Sequence, residues 1–209
     1  MRPPDAKPAM RTNTRLRVTD WWLPVVLLLV MLAIMQGGEH VVALLRYERA
    51  AVLDGEVWRL LTGHFAHADG SHLLWNVLGL MLVFALFAGE YSPGEWLLMM
   101  LASTAAIDLG FLAFEPQLAW YVGLSGVLHG LMAAGLAAWL RVRRDPLTVS
   151  VTLLFVAKLA WEHLRGPLPF TAETLSVPVV HEAHTFGAIG GALCAIAMLA
   201  RRTPANPPL

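Results

Sequence analysis

Polar surface is scarce in this chain of 209 residues, of which 14% are Asp, Glu, Lys or Arg and 57% are hydrophobic, with a mean hydropathy of +0.59. A soluble domain carries about a quarter charged residues, so that class is excluded and a membrane protein is implied. Cysteine occurs once, at Cys194 inside an apolar run, which rules out an intrachain disulfide and suggests a packing role. The net charge is zero and identifies no partner, and no nucleic-acid partner is expected. No internal repeat is evident. The chain has room for about six spans of ~20 residues and little else, so no separate soluble domain is expected.

What is present is a series of apolar runs with polar punctuation. A basic tail over residues 1–20 precedes the first run, Trp21 to Met35. No small-x-small cleavage site follows closely, and Trp21 and Trp22 suit interfacial anchors, so a retained span is favoured over a signal peptide. Residues 36–71 mix charged and apolar side chains, as expected of a segment lying in the interface. Five further spans read His72–Gly89, Trp96–Phe114, Ser125–Leu140, Leu147–Leu164 and Val179–Ala200, within a domain covering 21–202; residues 203–209 form a short tail. Ten of the fifteen Lys and Arg residues lie in the N-terminal tail, the loop after span four and the C-terminal end, so both termini are expected in the cytoplasm. This places His72, Asn76, Ser125 and His184 at one depth, at the external helix ends.

The centre of interest is Tyr121-Val-Gly-Leu-Ser-Gly-Val-Leu-His-Gly130. Ser125 opens an apolar helix whose free backbone N–H groups would favour a developing oxyanion. A bare G-x-S-G is equally compatible with a helix cap and packing glycines. At roughly 24 Å, span four is shorter than a hydrocarbon core of about 30 Å, so the loop before Ser125 must dip toward a wet cavity. Span four carries a G-x-x-x-G pair at Gly126 and Gly130, and span six another at Gly187 and Gly191. If these faces meet, the backbones approach closely and Ser125 comes to His184, as a serine–imidazole pair requires.

Gly123-Leu-Ser-Gly126, Ala183-His184 with Gly187 and Gly191, and Ser71-His-x-x-x-Asn76 after Trp58-Arg59 together resemble the rhomboid intramembrane serine proteases. The resemblance runs over all six spans and implies an all-α, six-helix rhomboid-type bundle. More narrowly, the Ser125 segment, Lys158-Leu-Ala-Trp-Glu162 and Glu182-Ala-His-Thr-Phe-Gly187 look like the rhombosortase branch. The implied roles are Ser125 as nucleophile, His184 as general base, and His72, Asn76 and the Ser125 N–H as oxyanion donors. In this family no aspartate is needed, so packing alone would hold His184. The resemblance further implies a bacterial inner-membrane enzyme with its site toward the periplasm and no metal or organic cofactor. Its partners would be membrane lipid and membrane-anchored protein substrates bearing a glycine-rich C-terminal tail.

Other polar residues have competing readings. His129, one turn after Ser125, is a rival base. His64, His67, Asp69 and His72 match no zinc spacing, and interfacial hydrogen bonding is the plainer account. Lys158 and Glu162, at i and i+4 in span five, are costly in lipid; they read either as a buried pair or as a substrate-reading or tuning pair. Asp108 is unassigned, and Glu182, beside His181, is a tuning candidate for His184. Two other functions compete: a catalytically silent rhomboid-like protein that binds membrane helices, and a small transporter using Lys158, Glu162 and Asp108.

Overall fold

The computed structural model describes residues 21–169 and 177–202; the expected tails over 1–20 and 203–209 lie outside the described residues. Helix α1 (Trp22–Gln36) bends by 118° into α2 (Gly38–Leu45), so the first apolar run is followed by a turned-back helix. Strand β1 (Tyr47–Glu48) and the short helices α3 (Arg49–Leu53) and α4 (Arg59–Thr62) follow. Helices α5 (Gly70–Phe87) and α6 (Pro93–Phe114) precede strand β2 (Trp120–Tyr121), and α7 (Ser125–Val142), α8 (Pro146–Arg165) and α9 (Glu182–Arg201) complete the bundle. Among the described residues five helices are long and apolar enough to span a membrane individually, and the bent α1–α2 pair supplies a sixth if taken as one span.

Local chemistry explains the helix starts. Asp69 caps α5 by accepting from the His72 N–H at 2.8 Å. Ser92 and Glu95 form a reciprocal capping box ahead of α6, with Pro93 in its first turn. Asp145 caps α8 through the Thr148 N–H at 3.0 Å, immediately before Pro146. These caps move the starts of spans two, three and five two or three residues, or one residue, ahead of the apolar runs. Span six is shorter at its start, because α9 begins at Glu182 rather than Val179. Span four continues to Val142, about 27 Å in length, so less of the bilayer is left for the loop to cross than a helix ending at Leu140 leaves.

Residues 36–71 are better described as a brace than as a segment lying flat. Arg59 is buried and donates to the Ala43 and Arg46 carbonyls, both at 2.9 Å, while Thr62 donates to the Leu45 carbonyl at 2.6 Å. Arg49 reaches the end of α6, donating to the carbonyls of Phe111 at 2.9 Å and Leu112 at 3.0 Å. Free carbonyls at a helix end are good arginine acceptors, which is why a charged loop folds back onto the bundle.

The most extensive helix contact is between α7 and α9. A Cβ on Gly187 would overlap the Gly126 carbonyl oxygen, and one on Gly191 would overlap the Gly130 backbone. The two G-x-x-x-G faces therefore meet, with Ser103 of α6 filling the space beside Gly130. Gly187→Leu should destabilise the protein by at least about 2 kcal/mol, read as a lower unfolding midpoint in detergent. An unchanged midpoint would mean that these backbones do not pack as described.

Candidate active site

The loop leading to Ser125 is built on a two-residue strand pair. β1 and β2 are antiparallel, with Tyr47 opposite Tyr121 and Glu48 opposite Trp120. Beyond the pair, the Gly123 N–H donates to the Gly63 carbonyl at 3.1 Å. Tyr121 is buried and donates its hydroxyl to the Gly123 carbonyl at 2.6 Å; burial raises its phenol above the ordinary range. Gly123 has φ +119°, and a Cβ there would strike the His72 ring at 2.6 Å from Nε2. Glycine is thus required for both the backbone conformation and the approach of His72.

This loop delivers Ser125 to the first residue of α7, and the glycine contact delivers His184 from the first turn of α9. Ser125 Oγ and His184 Nε2 are 3.0 Å apart. His184 is buried. The expectation that packing alone holds this ring needs correction. Its Nδ1 lies 2.9 Å from Glu162 Oε2 and 3.0 Å from Lys158 Nζ.

Lys158 Nζ also lies 2.5 Å from the same Glu162 oxygen and 2.5 Å from His129 Nε2. His129 Nδ1 is 2.7 Å from the Ser125 carbonyl oxygen. Its ring stacks on His184 with centroids 4.0 Å apart. The bonds at both of its nitrogens therefore lead to the Ser125 backbone and to Lys158. The link from Glu162 to His184 has a sequence signal: an i,i+4 ionic pair in the half of span five expected to lie at the depth of His184. That pattern supports proximity, but the rotation of α8 needed for contact requires the fold.

A cavity of about 670 Å³ opens over this cluster and extends between α5 and α8. His72, Asn76, Ser125, His129, Glu162 and His184 line its polar part, while Gly79, Val83, Leu154 and Phe155 contribute to its apolar wall. Asn76 donates to the His72 carbonyl at 2.9 Å, using one of its two amide hydrogens. Among the described residues, Asn76 Oδ1 and His72 Nδ1 are buried without hydrogen-bond partners.

The remaining candidates separate from this cluster. Asp108 lies 3.3 Å from His64 Nε2, so the pair is a buried contact between the brace and α6. His67 packs edge-on against His72 and accepts no proton readily: burial, with the neighbouring His72 adding to it, lowers it to about 3. Glu182 lies 3.3 Å from His181 at the mouth of α9. His129, Glu162 and His184 instead bring three potential metal-ligand atoms within 4.8 Å of one another. Lys158 Nζ lies among those same atoms.

The chain was compared with known proteins. The rhomboid domain model matches residues 54–201. The rhomboid protease GlpG of Salmonella choleraesuis (strain SC-B67) is 32% identical over 127 residues, covering 60% of this chain and 44% of that protein. The GlpG proteins of Salmonella newport and Salmonella typhimurium match at the same identity and coverage. The chain thus spans less than half the length of these curated relatives. With the domain match extending from the brace through α9 and the helical architecture described above, this multi-pass membrane protein belongs to the rhomboid family.

Proposed function

We propose that the protein is an intramembrane serine endopeptidase in which Ser125 is the nucleophile and His184 the general base. The observation that carries this reading is the 3.0 Å approach of Ser125 Oγ to His184 Nε2 at the edge of a large cavity lined by apolar helices. Attack of Oγ on a peptide carbonyl would transfer its proton to Nε2 and form a tetrahedral oxyanion. Collapse breaks the C–N bond as His184 returns the proton to the leaving amine. Water, or another amine, then resolves the acyl-enzyme. His72, Asn76 and the Ser125 N–H are assigned to the oxyanion. Their support is the common cavity and the close approach that Gly123 allows to His72.

The rhombosortase-like motifs favour exported substrates with a glycine-rich C-terminal tail next to a membrane span. Glycine weakens a helix by about 1 kcal/mol per residue relative to alanine, which eases unwinding of a tail into the cavity. We place the enzyme in the bacterial inner membrane, with its termini cytoplasmic and its site toward the periplasm. The distribution of arginine and lysine supports this orientation. The apolar channel between α5 and α8 offers the substrate a path alongside lipid.

Mass spectrometry of a tailed substrate co-expressed with the wild type should show loss of the tail and locate the bond. Ser125→Ala and His184→Ala should each lower turnover by at least roughly 10³-fold while the protein stays folded. Appreciable cleavage by either would remove that residue from the mechanism. Added mass on the product would indicate transfer rather than hydrolysis. Asn76→Ala should lower kcat by about 10²–10³-fold with a smaller change in KM. An unchanged kcat would remove Asn76 from the oxyanion site.

A further inference from the structure

The hydrogen-bond directions around His184 can be assigned from one fixed point, the Ser125 carbonyl, which only accepts. His129 Nδ1, 2.7 Å away, must therefore carry the proton. In the neutral ring this leaves Nε2 as an acceptor for Lys158 Nζ at 2.5 Å. The ammonium also donates to Glu162 Oε2 at 2.5 Å, keeping a charged carboxylate beside His184. Glu162 is 2% exposed, so this ion pair is an inward-facing feature rather than a solvated i,i+4 pair.

His184 Nδ1 then has two neighbours with opposite demands. If it accepted from Lys158, Nε2 would carry the ring's proton and could not take one from Ser125. If Nδ1–H donates to Glu162 at 2.9 Å, Nε2 is left as the acceptor facing Ser125 Oγ at 3.0 Å. The second tautomer completes a ring of bonds from the Ser125 carbonyl through His129, Lys158, Glu162 and His184 to the Ser125 hydroxyl. We propose that Glu162 is the positioning residue for His184, fixing its reactive tautomer and stabilising its protonated form, while Lys158 and His129 hold the carboxylate in place. This rests on the Ser125–His184 reading and adds a third member to it.

The same geometry distinguishes this role from a metal site. His129, Glu162 and His184 converge, but the Lys158 ammonium occupies the space between their donor atoms and supplies the positive charge. A metal ion there would have to displace it.

The test uses the full chain, with two readouts: the rate at which a fluorophosphonate labels Ser125, which needs no natural substrate, and kcat and KM on a tailed substrate. Glu162→Gln should slow labelling and lower kcat by about 10²–10³-fold, with KM held within about threefold. Glu162→Asp should recover part of the loss. Lys158→Met should also slow both, and adding it to Glu162→Gln should cost little more than Glu162→Gln alone, because the two act through one ring. The double variant also removes both charges of the pair together, so that no uncompensated charge is left beside the site, which keeps the test available if Glu162→Gln alone folds poorly.

Wild-type labelling and kcat in Glu162→Gln would overturn the positioning role. So would a raised KM with unchanged labelling, the result expected of a substrate-reading residue. Loss of wild-type labelling on treatment with a zinc chelator would overturn it in favour of a metal centre. If the wild type is not labelled at Ser125 at all, the Ser125–His184 reading fails and the positioning role fails with it.

Discussion

Everything at the site depends on the contact between α7 and α9, where backbone meets backbone at Gly126, Gly130, Gly187 and Gly191. In lipid, apolar side chains gain little by leaving their surroundings, so close van der Waals fit has to provide much of the association. Small residues make that fit by removing the side chains that would separate two helices. Ser125 and His184 project from one end of the seam, and the spacing of the seam sets their distance. Packing and chemistry are thus specified by the same short stretches of sequence.

The spans, the glycine pairs and the serine and histidine at one depth are legible in the sequence because each depends on composition or helical period. The helix starts are set by the caps at Asp69, Ser92 and Asp145, and the apolar runs alone place those starts slightly too late. The contact between Glu162 and His184 is less accessible. It requires α8 to turn its ionic pair inward, and neither residue identity nor i,i+4 spacing fixes that rotation. The brace over residues 36–71 is harder still. Arg49 and Arg59 read as interfacial charges until the carbonyls they bond, distant in the chain, are brought beside them.

The polar interior is economical in its use of charge. His64 meets Asp108, Lys158 meets Glu162, and Arg59 pairs with Glu56 while also bonding backbone carbonyls, as Arg49 does. At the opposite end of the bundle, Arg141 bonds the Leu199 and Arg202 carbonyls, and Arg202 pairs with Glu95 at 2.6 Å. These contacts tie the ends of α7, α9 and α6 together. The α7–α9 seam is consequently held by arginines at the end away from Ser125 and along its length by glycine.

Helix α8 is different. Among the described residues its buried positions are Thr148 near one end and Glu162 near the other, with aliphatic side chains such as Leu153 and Leu154 turned outward. Glu162 lies about 24 Å along the axis from Pro146. A tilt of only about 2–3° about the Pro146 end shifts it by about 1 Å, comparable with the precision a reactive hydrogen bond demands. Tilt is also how a span adjusts to a thicker or thinner hydrocarbon layer. The thickness of the surrounding bilayer therefore becomes part of the geometry of the His184 ring.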